Sequence, residues 1–184
     1  MKKIFICVIV LFFFVACEQP ANECDCSDPE GRSLIDSKSM YDMFISFGNA
    51  MADKNIDELL DGLTDDVVWY FPNKQKVSGK EQLRSLMSTL FDSWEVMQVN
   101  SGWTDEQKEL DQDQPIYLGV KSSDGVNYLL VWTMYYFKAK NGVEISLPWH
   151  IVYGFNEEGK INYVATYYDR SELTSAYDGS DPIK

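Results

Sequence analysis

Two kinds of residue are scarce in this chain: histidine and the basic residues. Among 184 residues there is a single histidine, His150, which excludes a metal cluster or a mechanism that needs two histidines. Sixteen Lys and Arg stand against 29 Asp and Glu, so the formal net charge is −13 at pH 7. Neutralising phosphates requires a surplus of Lys and Arg. The composition therefore predicts no nucleic-acid partner and no purely electrostatic adhesion to anionic lipid.

Cysteine is missing from most of the chain, since all four cysteines lie within the first 26 residues. Cys24 and Cys26 are separated by one residue, so they are either two free thiols or partners in a small, strained and easily reduced ring. With no second cysteine pair and no nearby histidine they predict no zinc site, and the sequence predicts no cofactor. At 45% apolar and 14% aromatic residues, the chain can fill the core of one domain without disulfides.

No hydrophobic run reaches the roughly 20 residues that a membrane-spanning helix needs. An uncharged run at residues 4–16 follows Lys2 and Lys3, which is typical of a signal peptide. Its end resembles a bacterial lipobox, in which the cysteine is acylated and becomes the new N-terminus: Phe14-Val15-Ala16-Cys17. The prediction is a signal peptide over residues 1–16 and a lipoprotein of the bacterial cell envelope, periplasmic or surface-facing, anchored in the membrane by lipid on Cys17. An ordinary signal peptide with a chance cysteine is the alternative.

The remaining chain divides into a tether, one domain and a tail. Residues 17–38 are predicted to be the lipidated cysteine and a flexible acidic tether, because they show no apolar period. Residues 39–175 are predicted to form the domain, and residues 176–184 a tail. Apolar residues recur at helical spacing after Ser39, Asn55 and Ser78, which predicts three helices. Capping boxes are expected at Ser39 and Ser78.

Strands dominate the second half of the sequence. Runs at 67–71 and 95–103 favour strands, and a polar, acidic loop is predicted at 104–114. Turns at Asp124-Gly125, Asn141-Gly142 and Glu158-Gly159 separate four further strands, at 116–121, 126–138, 143–155 and 160–169. This order predicts an α+β fold with three N-terminal helices on one face of a curved antiparallel sheet. Both faces are apolar, so the sequence does not assign the face that meets the helices.

Four segments carry a resemblance to a known family: Met51-Ala52-Asp53-Lys54-Asn55, Asp65-Asp66-Val67-Val68-Trp69, Ser78-Gly79-Lys80-Glu81-Gln82-Leu83, and Gly159-Lys160-Ile161 with Tyr168-Asp169-Arg170-Ser171-Glu172-Leu173. In their order and spacing they resemble the nuclear transport factor 2-like superfamily, most of all its SnoaL-like and ketosteroid-isomerase-like branches, over residues 39–173. The resemblance implies a cystatin-like, cone-shaped sheet with a pocket between sheet and helices. It also implies a homodimer through the sheet.

The resemblance implies a catalytic role for Asp169, at the end of the last strand, as the acid/base of an isomerase, cyclase or dehydratase. A carboxylate desolvated in a pocket would have a raised pKa, which suits proton transfer. The alternative is a strand-end Asp169 that caps the following turn or pairs with Arg170. His150 is the second catalytic candidate, either as a partner of Asp169 in the pocket or as a hydrogen-bonded member of the sheet.

Five aromatic residues are candidates for the pocket lining, with the core as the alternative: Trp69, Tyr70, Trp132, Trp149 and Tyr168. The acidic residues of the 104–114 loop lack the spacing of a calcium loop, so no metal site is predicted: Asp105, Glu106, Glu109, Asp111 and Asp113. Two functions stay open. The first is binding of a small, largely apolar ligand or a protein partner without strong catalysis, and the second is an enzyme that uses Asp169.

Overall fold

Three helices precede most of the sheet, as the sequence predicts. In the computed structural model, which describes residues 31–176, they are α1 (Lys38–Ala52), α2 (Ile56–Asp61) and α3 (Lys80–Ser93). Two short helices follow, α4 (Asp105–Glu109) and α5 (Arg170–Ala176). Within residues 31–176 no helix has the length and apolar character that crossing a membrane requires. The predicted signal peptide, Cys17, the Cys24–Cys26 pair and the tail from residue 177 lie outside the described residues.

The starts of the helices differ from the predicted capping boxes. α1 follows Ser37 and α3 follows Gly79, and neither residue supplies a side-chain cap, so the expected boxes at Ser39 and Ser78 are wrong. Gly79 has a φ of 82°, a conformation that glycine adopts without steric cost. The capping box lies instead at Thr104, before α4, inside the segment predicted to be a loop.

The strands form one eight-stranded sheet: β1 (Ser33–Ile35), β2 (Leu63–Tyr70), β3 (Lys76–Ser78), β4 (Trp94–Val99), β5 (Ile116–Lys121), β6 (Asn127–Ala139), β7 (Glu144–Phe155) and β8 (Ile161–Tyr167). Their order is β1-β5-β6-β7-β8-β2-β3. The three glycine turns join β5 to β8 as predicted. β4 and β5 pair with successive parts of β6, residues 135–139 and 127–132. The predicted α+β fold with a curved sheet on helices is confirmed.

Two strand pairings were not expected. β2 joins β8 in parallel, whereas the sequence predicts an antiparallel sheet. β1 pairs with β5 and lies within the segment predicted to be the flexible tether, so the ordered domain begins before Ser39. Gly119 of β5 explains the close approach, because a Cβ there would lie 2.6 Å from the Cβ of Ser37 and 2.9 Å from the carbonyl oxygen of Ile35.

Within residues 31–176 the sheet has an inner face against α1 and α3 and an outer face, at whose edge the α4 segment lies beside Ile116 and Trp132. The inner face carries fully buried residues such as Leu129, Leu147, Ile151 and Val164, which pack with α1 and α3. We define the outer face by residues that the strand registers place together: Leu34, Val68, Tyr70, Ile116, Leu118, Val120, Tyr128, Leu130, Trp132, His150, Val152, Gly154, Tyr163, Ala165 and Tyr167. This set contains no Asp, Glu, Lys or Arg, but charged residues border it, because the registers place Lys76 beside Tyr70 and the Lys138–Glu144 pair further along β6 and β7.

Candidate functional site

A cavity of about 50 Å³ lies between the inner face of the sheet and helices α1, α3 and α5. Aromatic residues form much of its wall: Trp69, Phe71, Trp94, Tyr135, Phe137, Trp149 and Tyr168. Methionine and aliphatic residues form the rest of the apolar wall: Met51, Met87, Leu90, Met97, Ile151 and Leu173. Among the described residues only Thr166 and Arg170 complete the lining, so this part of the wall is strongly apolar.

Stacked rings shape the aromatic wall. The Trp149 ring lies 3.7 Å from the Tyr168 ring and 4.6 Å from the Tyr135 ring, centroid to centroid, with interplanar angles of 22° and 26°. The Trp69 and Phe71 rings are nearly parallel, at 3° and 5.7 Å. These rings project from neighbouring strands or from the chain just after them, where alternation points every second side chain inward. The wall therefore presents flat apolar surfaces.

Two polar groups in the lining bond to each other. Trp69 Nε1 donates to Thr166 Oγ1 at 3.5 Å, and Thr166 Oγ1 donates to the carbonyl oxygen of Tyr70 at 3.2 Å. Trp149 Nε1 is different, because it is buried and has no hydrogen-bond partner within residues 31–176. A buried donor left without a partner costs about 1–3 kcal/mol.

The lining holds no group that titrates near neutral pH. Among the described residues that line it there is no Asp, Glu or His, and Arg170 carries its one formal charge. Burial raises the pKa of Tyr135 far above its ordinary value of 10.0. The neighbouring Tyr153, which is also buried, has its pKa raised for the same reason. Proton abstraction needs a group with a pKa near the working pH, and this wall offers none.

Asp169 lies outside the cavity, so its predicted role as a desolvated base is wrong. Its carboxylate is exposed, although its neighbours Tyr168 and Arg170 both line the cavity. Asp169 Oδ1 accepts hydrogen bonds from Ser171 N at 2.9 Å and Ser171 Oγ at 2.7 Å, which caps the start of α5. These bonds lower the pKa of Asp169 below 3.8. Asp169 therefore caps the start of the following helix, as the alternative interpretation expects.

His150 lies on the outer face, so it is not a pocket partner of Asp169. Its ring stacks on Trp132 at 4.5 Å and on Tyr167 at 5.5 Å. Its Nε2 is buried without a partner in the described part of the chain, and burial lowers the pKa of the imidazole below 6.5. Tyr70 and Trp132 also belong to the outer face. Neither lines the cavity between sheet and helices, so that placement is wrong for both, although each lines a more open depression elsewhere; Trp69, Trp149 and Tyr168 do line the cavity.

The acidic segment around α4 forms a short helix on the surface. Asp105 pairs with Lys108 at 3.3 Å, and both side chains are largely exposed. Within residues 31–176 no three His, Cys, Asp or Glu side chains come close enough to hold a metal ion together.

A family model described as a SnoaL-like domain matches residues 45–164, from α1 to β8. The chain belongs to the SnoaL-like domain family. The matched part supplies most of the cavity wall, and the resemblance drawn from the sequence motifs is confirmed. A search of curated proteins finds no match.

Solved structures share the fold of this SnoaL-like domain at low sequence identity. A nuclear transport factor 2-like protein of unknown function from Burkholderia pseudomallei is 15% identical, with a TM-score of 0.56 over 74% of this chain and 95% of that one. TerC, co-crystallised with polyporic acid, is 12% identical, with a TM-score of 0.56 over 75% and 97%. A ketosteroid isomerase-like fold from Catenulispora acidiphila in complex with trimethylamine is 12% identical, with a TM-score of 0.53 over 73% and 90%.

Several cavity residues of the SnoaL-like domain were not singled out from the sequence. Met87 and Leu90 belong to the apolar stripe of α3, and Met97 lies on β4. Tyr135 and Phe137 follow the alternation of β6. Their types and spacing are those of ordinary core residues. Only the curvature of the sheet, which leaves space between sheet and helices, separates lining from core.

Proposed function

We propose that this SnoaL-like protein binds a small, planar, largely apolar molecule in its cavity. This binding function requires no carboxylate base. The observation that carries the proposal is the composition of the wall. Seven aromatic and six methionine or aliphatic residues line it, whereas Asp169 and His150 lie elsewhere. Such a wall stabilises an apolar ring by removing it from water, at about 25 cal/mol per Å².

The cavity must expand to accept a ring. Its volume of about 50 Å³ compares with the roughly 150 Å³ of an engineered cavity that binds benzene. Rotamer changes of Met51, Met87 and Met97 would provide the extra volume, because a methionine side chain is unbranched and readily changes rotamer. Two proteins of the same fold are described with small molecules bound, polyporic acid and trimethylamine, which supports a ligand site in this fold.

A matched pair of variants tests the proposed site. Leu90→Phe adds volume inside the cavity, whereas Leu118→Phe makes the same change on the outer face. The purified wild-type protein is titrated with ethylbenzene and with naphthalene, following tryptophan fluorescence and the melting midpoint. We expect Leu90→Phe to weaken binding at least about tenfold and Leu118→Phe to leave it unchanged. Equal binding by the two variants, or no binding by the wild type, contradicts the proposal.

We also propose that the protein is anchored in the bacterial envelope through lipid on Cys17. The support is the lipobox-like sequence that ends in this residue. Cys17→Ala is expected to remove the protein from the membrane fraction, because the acyl chains supply the membrane affinity. Wild-type protein without an acyl group by mass spectrometry would contradict the anchor.

The outer face supports a further proposal, a homodimer through the sheet. Five strands about 4.8 Å apart and five residues deep give an uncharged patch of roughly 400 Å² in projection. That is within the about 300–600 Å² of the largest apolar patch on a typical monomer, which is often functional, and it is about half of the about 800 Å² per partner of a standard interface. A second copy would present the same uncharged surface, as a two-fold interface requires.

A further inference from the structure

The polar groups of the cavity wall are unevenly distributed. Thr166 and Trp69 bond to each other within the wall, so they are already engaged. Trp149 stacks on the Tyr168 ring at 3.7 Å, and Arg170, two residues after Tyr168 in the chain, begins α5. All three line the cavity. We call the part of the lining formed by these three residues the Trp149–Tyr168–Arg170 corner, and the part formed by Met51, Met87 and Met97 the methionine side.

At this corner the side chains of Trp149 and Arg170 only donate hydrogen bonds. An indole has one N–H and no acceptor, and a guanidinium has five N–H groups and no acceptor. Trp149 Nε1 is buried and has no partner within the described residues, so it lacks an acceptor. Arg170 takes part in another contact, but its five N–H groups leave room for a second partner. The ligand atom that suits these two donors is therefore a hydrogen-bond acceptor, such as an oxygen.

The charge at the corner is positive in a strongly acidic protein. Arg170 is the one charged residue among the described residues of the lining, although the chain carries a net charge of −13. The nearby carboxylates of Asp169 and Glu172 are exposed, where water and salt screen their repulsion of an anion. Asp169 is moreover engaged by Ser171. A charge-assisted bond to Arg170 inside the lining is screened less.

We propose that the cavity takes a small amphipathic acid, with an apolar ring against the methionine side and a carboxylate at the Trp149–Tyr168–Arg170 corner. The inference rests on the proposed function, since it specifies the ligand of the same cavity. It requires that Trp149 Nε1 and Arg170 both donate to the carboxylate oxygens. A cationic group at the same position would leave the indole without an acceptor and would be repelled by the guanidinium.

Four ligands of similar size test the proposal: benzoate, acetophenone, ethylbenzene and benzylammonium. The purified full chain is titrated with each, and the indole N–H signals are followed by ¹H–¹⁵N NMR. The Trp149 signal is assigned in the wild type by its proximity to the rings of Tyr135 and Tyr168, and its absence in Trp149→Phe checks the assignment. We expect benzoate to bind about tenfold more tightly than ethylbenzene and to move the Trp149 signal downfield. Acetophenone should lie between them and benzylammonium should bind most weakly.

Two variants separate the donors. Arg170→Gln should weaken benzoate binding about tenfold and weaken ethylbenzene binding much less, so the preference for benzoate should fall. Trp149→Phe should reduce the preference of the cavity for acetophenone over ethylbenzene. If ethylbenzene binds as tightly as benzoate, or the Trp149 signal does not move with benzoate bound, the acid specificity is overturned while the apolar-ligand function stands. If none of the four ligands binds, the proposed function itself fails. The NMR arm on the wild type decides the question even if a variant does not fold.

Discussion

The inner and outer faces of the sheet have similar apolar composition but opposite surroundings. On the inner face, Leu129, Leu147 and Val164 have no exposed surface, because α1 and α3 cover them. On the outer face, Ile116 is 69% exposed and Tyr167 is 54% exposed. Alternation along a strand determines which residues share a face. What covers that face depends on the rest of the molecule or on a partner.

The inner face is most sharply tested by enlarging the cavity. Met87→Ala should lower the free energy of unfolding by about 2–5 kcal/mol, because it removes buried side-chain volume and leaves a larger cavity. Ethylbenzene should restore part of that loss by filling the space. Met40→Ala is the control, since Met40 is buried but lies outside the cavity. Chemical denaturation with and without ethylbenzene measures both. Equal rescue of the two variants would mean that the cavity is not the binding site.

A charge on the outer face should break the proposed dimer. Leu118→Lys introduces an ammonium into the uncharged patch, and we expect the dimer dissociation constant to rise at least about 100-fold, with little change in monomer stability. Leu110→Lys is the matched control, because Leu110 is 58% exposed at the end of α4 and does not belong to the outer face. Sedimentation velocity over a wide concentration range gives the result. A wild-type protein that stays monomeric would refute the interface.

The outer face should also respond to pH through His150. Burial lowers the pKa of the folded imidazole below 6.5, so below about pH 6.5 the unfolded chain binds protons more readily than the folded protein. Stability should therefore fall as the pH drops through this range, and His150→Gln should reduce the fall. Melting midpoints at about pH 7.5 and about pH 5.5 show the difference. An identical pH dependence in wild type and variant would rule out this role of His150.

The smallest effect is expected at Asp169, beside the cavity rather than in it. Asp169→Ala should lower the melting midpoint at pH 7, because it removes the cap on α5, and Asp169→Asn should lose less because it keeps an acceptor oxygen. The folded pKa of Asp169 is lowered, so its contribution is present above about pH 3.8 and is lost as the pH falls through the folded value. The gap between wild type and Asp169→Ala should shrink accordingly. A more stable Asp169→Asn at pH 7 would restore the interpretation as a buried base.

Local patterns predicted the parts of the fold that depend on neighbouring residues. The helices after Ser37, Asn55 and Gly79, and the three glycine turns, follow from apolar spacing and turn chemistry. The strand β1 was missed because its three residues show no pattern of their own, and its position depends on the space beside Gly119. α4 was missed because its acidic sequence has no apolar stripe.

The candidate site was harder to predict because it depends on which face of the sheet turns inward. Trp69 and Tyr70 are adjacent in sequence, yet one lines the cavity and the other lies on the outer face. Both faces are apolar, so the sequence offers no signal to choose between them. Asp169 is a similar case, because it is exposed although its sequence neighbours Tyr168 and Arg170 both line the cavity. A family resemblance places such a residue near the pocket but does not determine its direction.

The parallel pairing of β2 with β8 has a consequence for the time at which the cavity forms. Trp69 Nε1 donates to Thr166 Oγ1 across this pair although 97 positions separate the two residues in the chain. β2 is synthesised before β8, so the two strands cannot pair until β8 has been made. Closing the long loop between them is slow. The aromatic wall is thus completed only after β8 has been synthesised. A ligand held in the finished cavity would therefore prolong the lifetime of the folded protein rather than speed its formation.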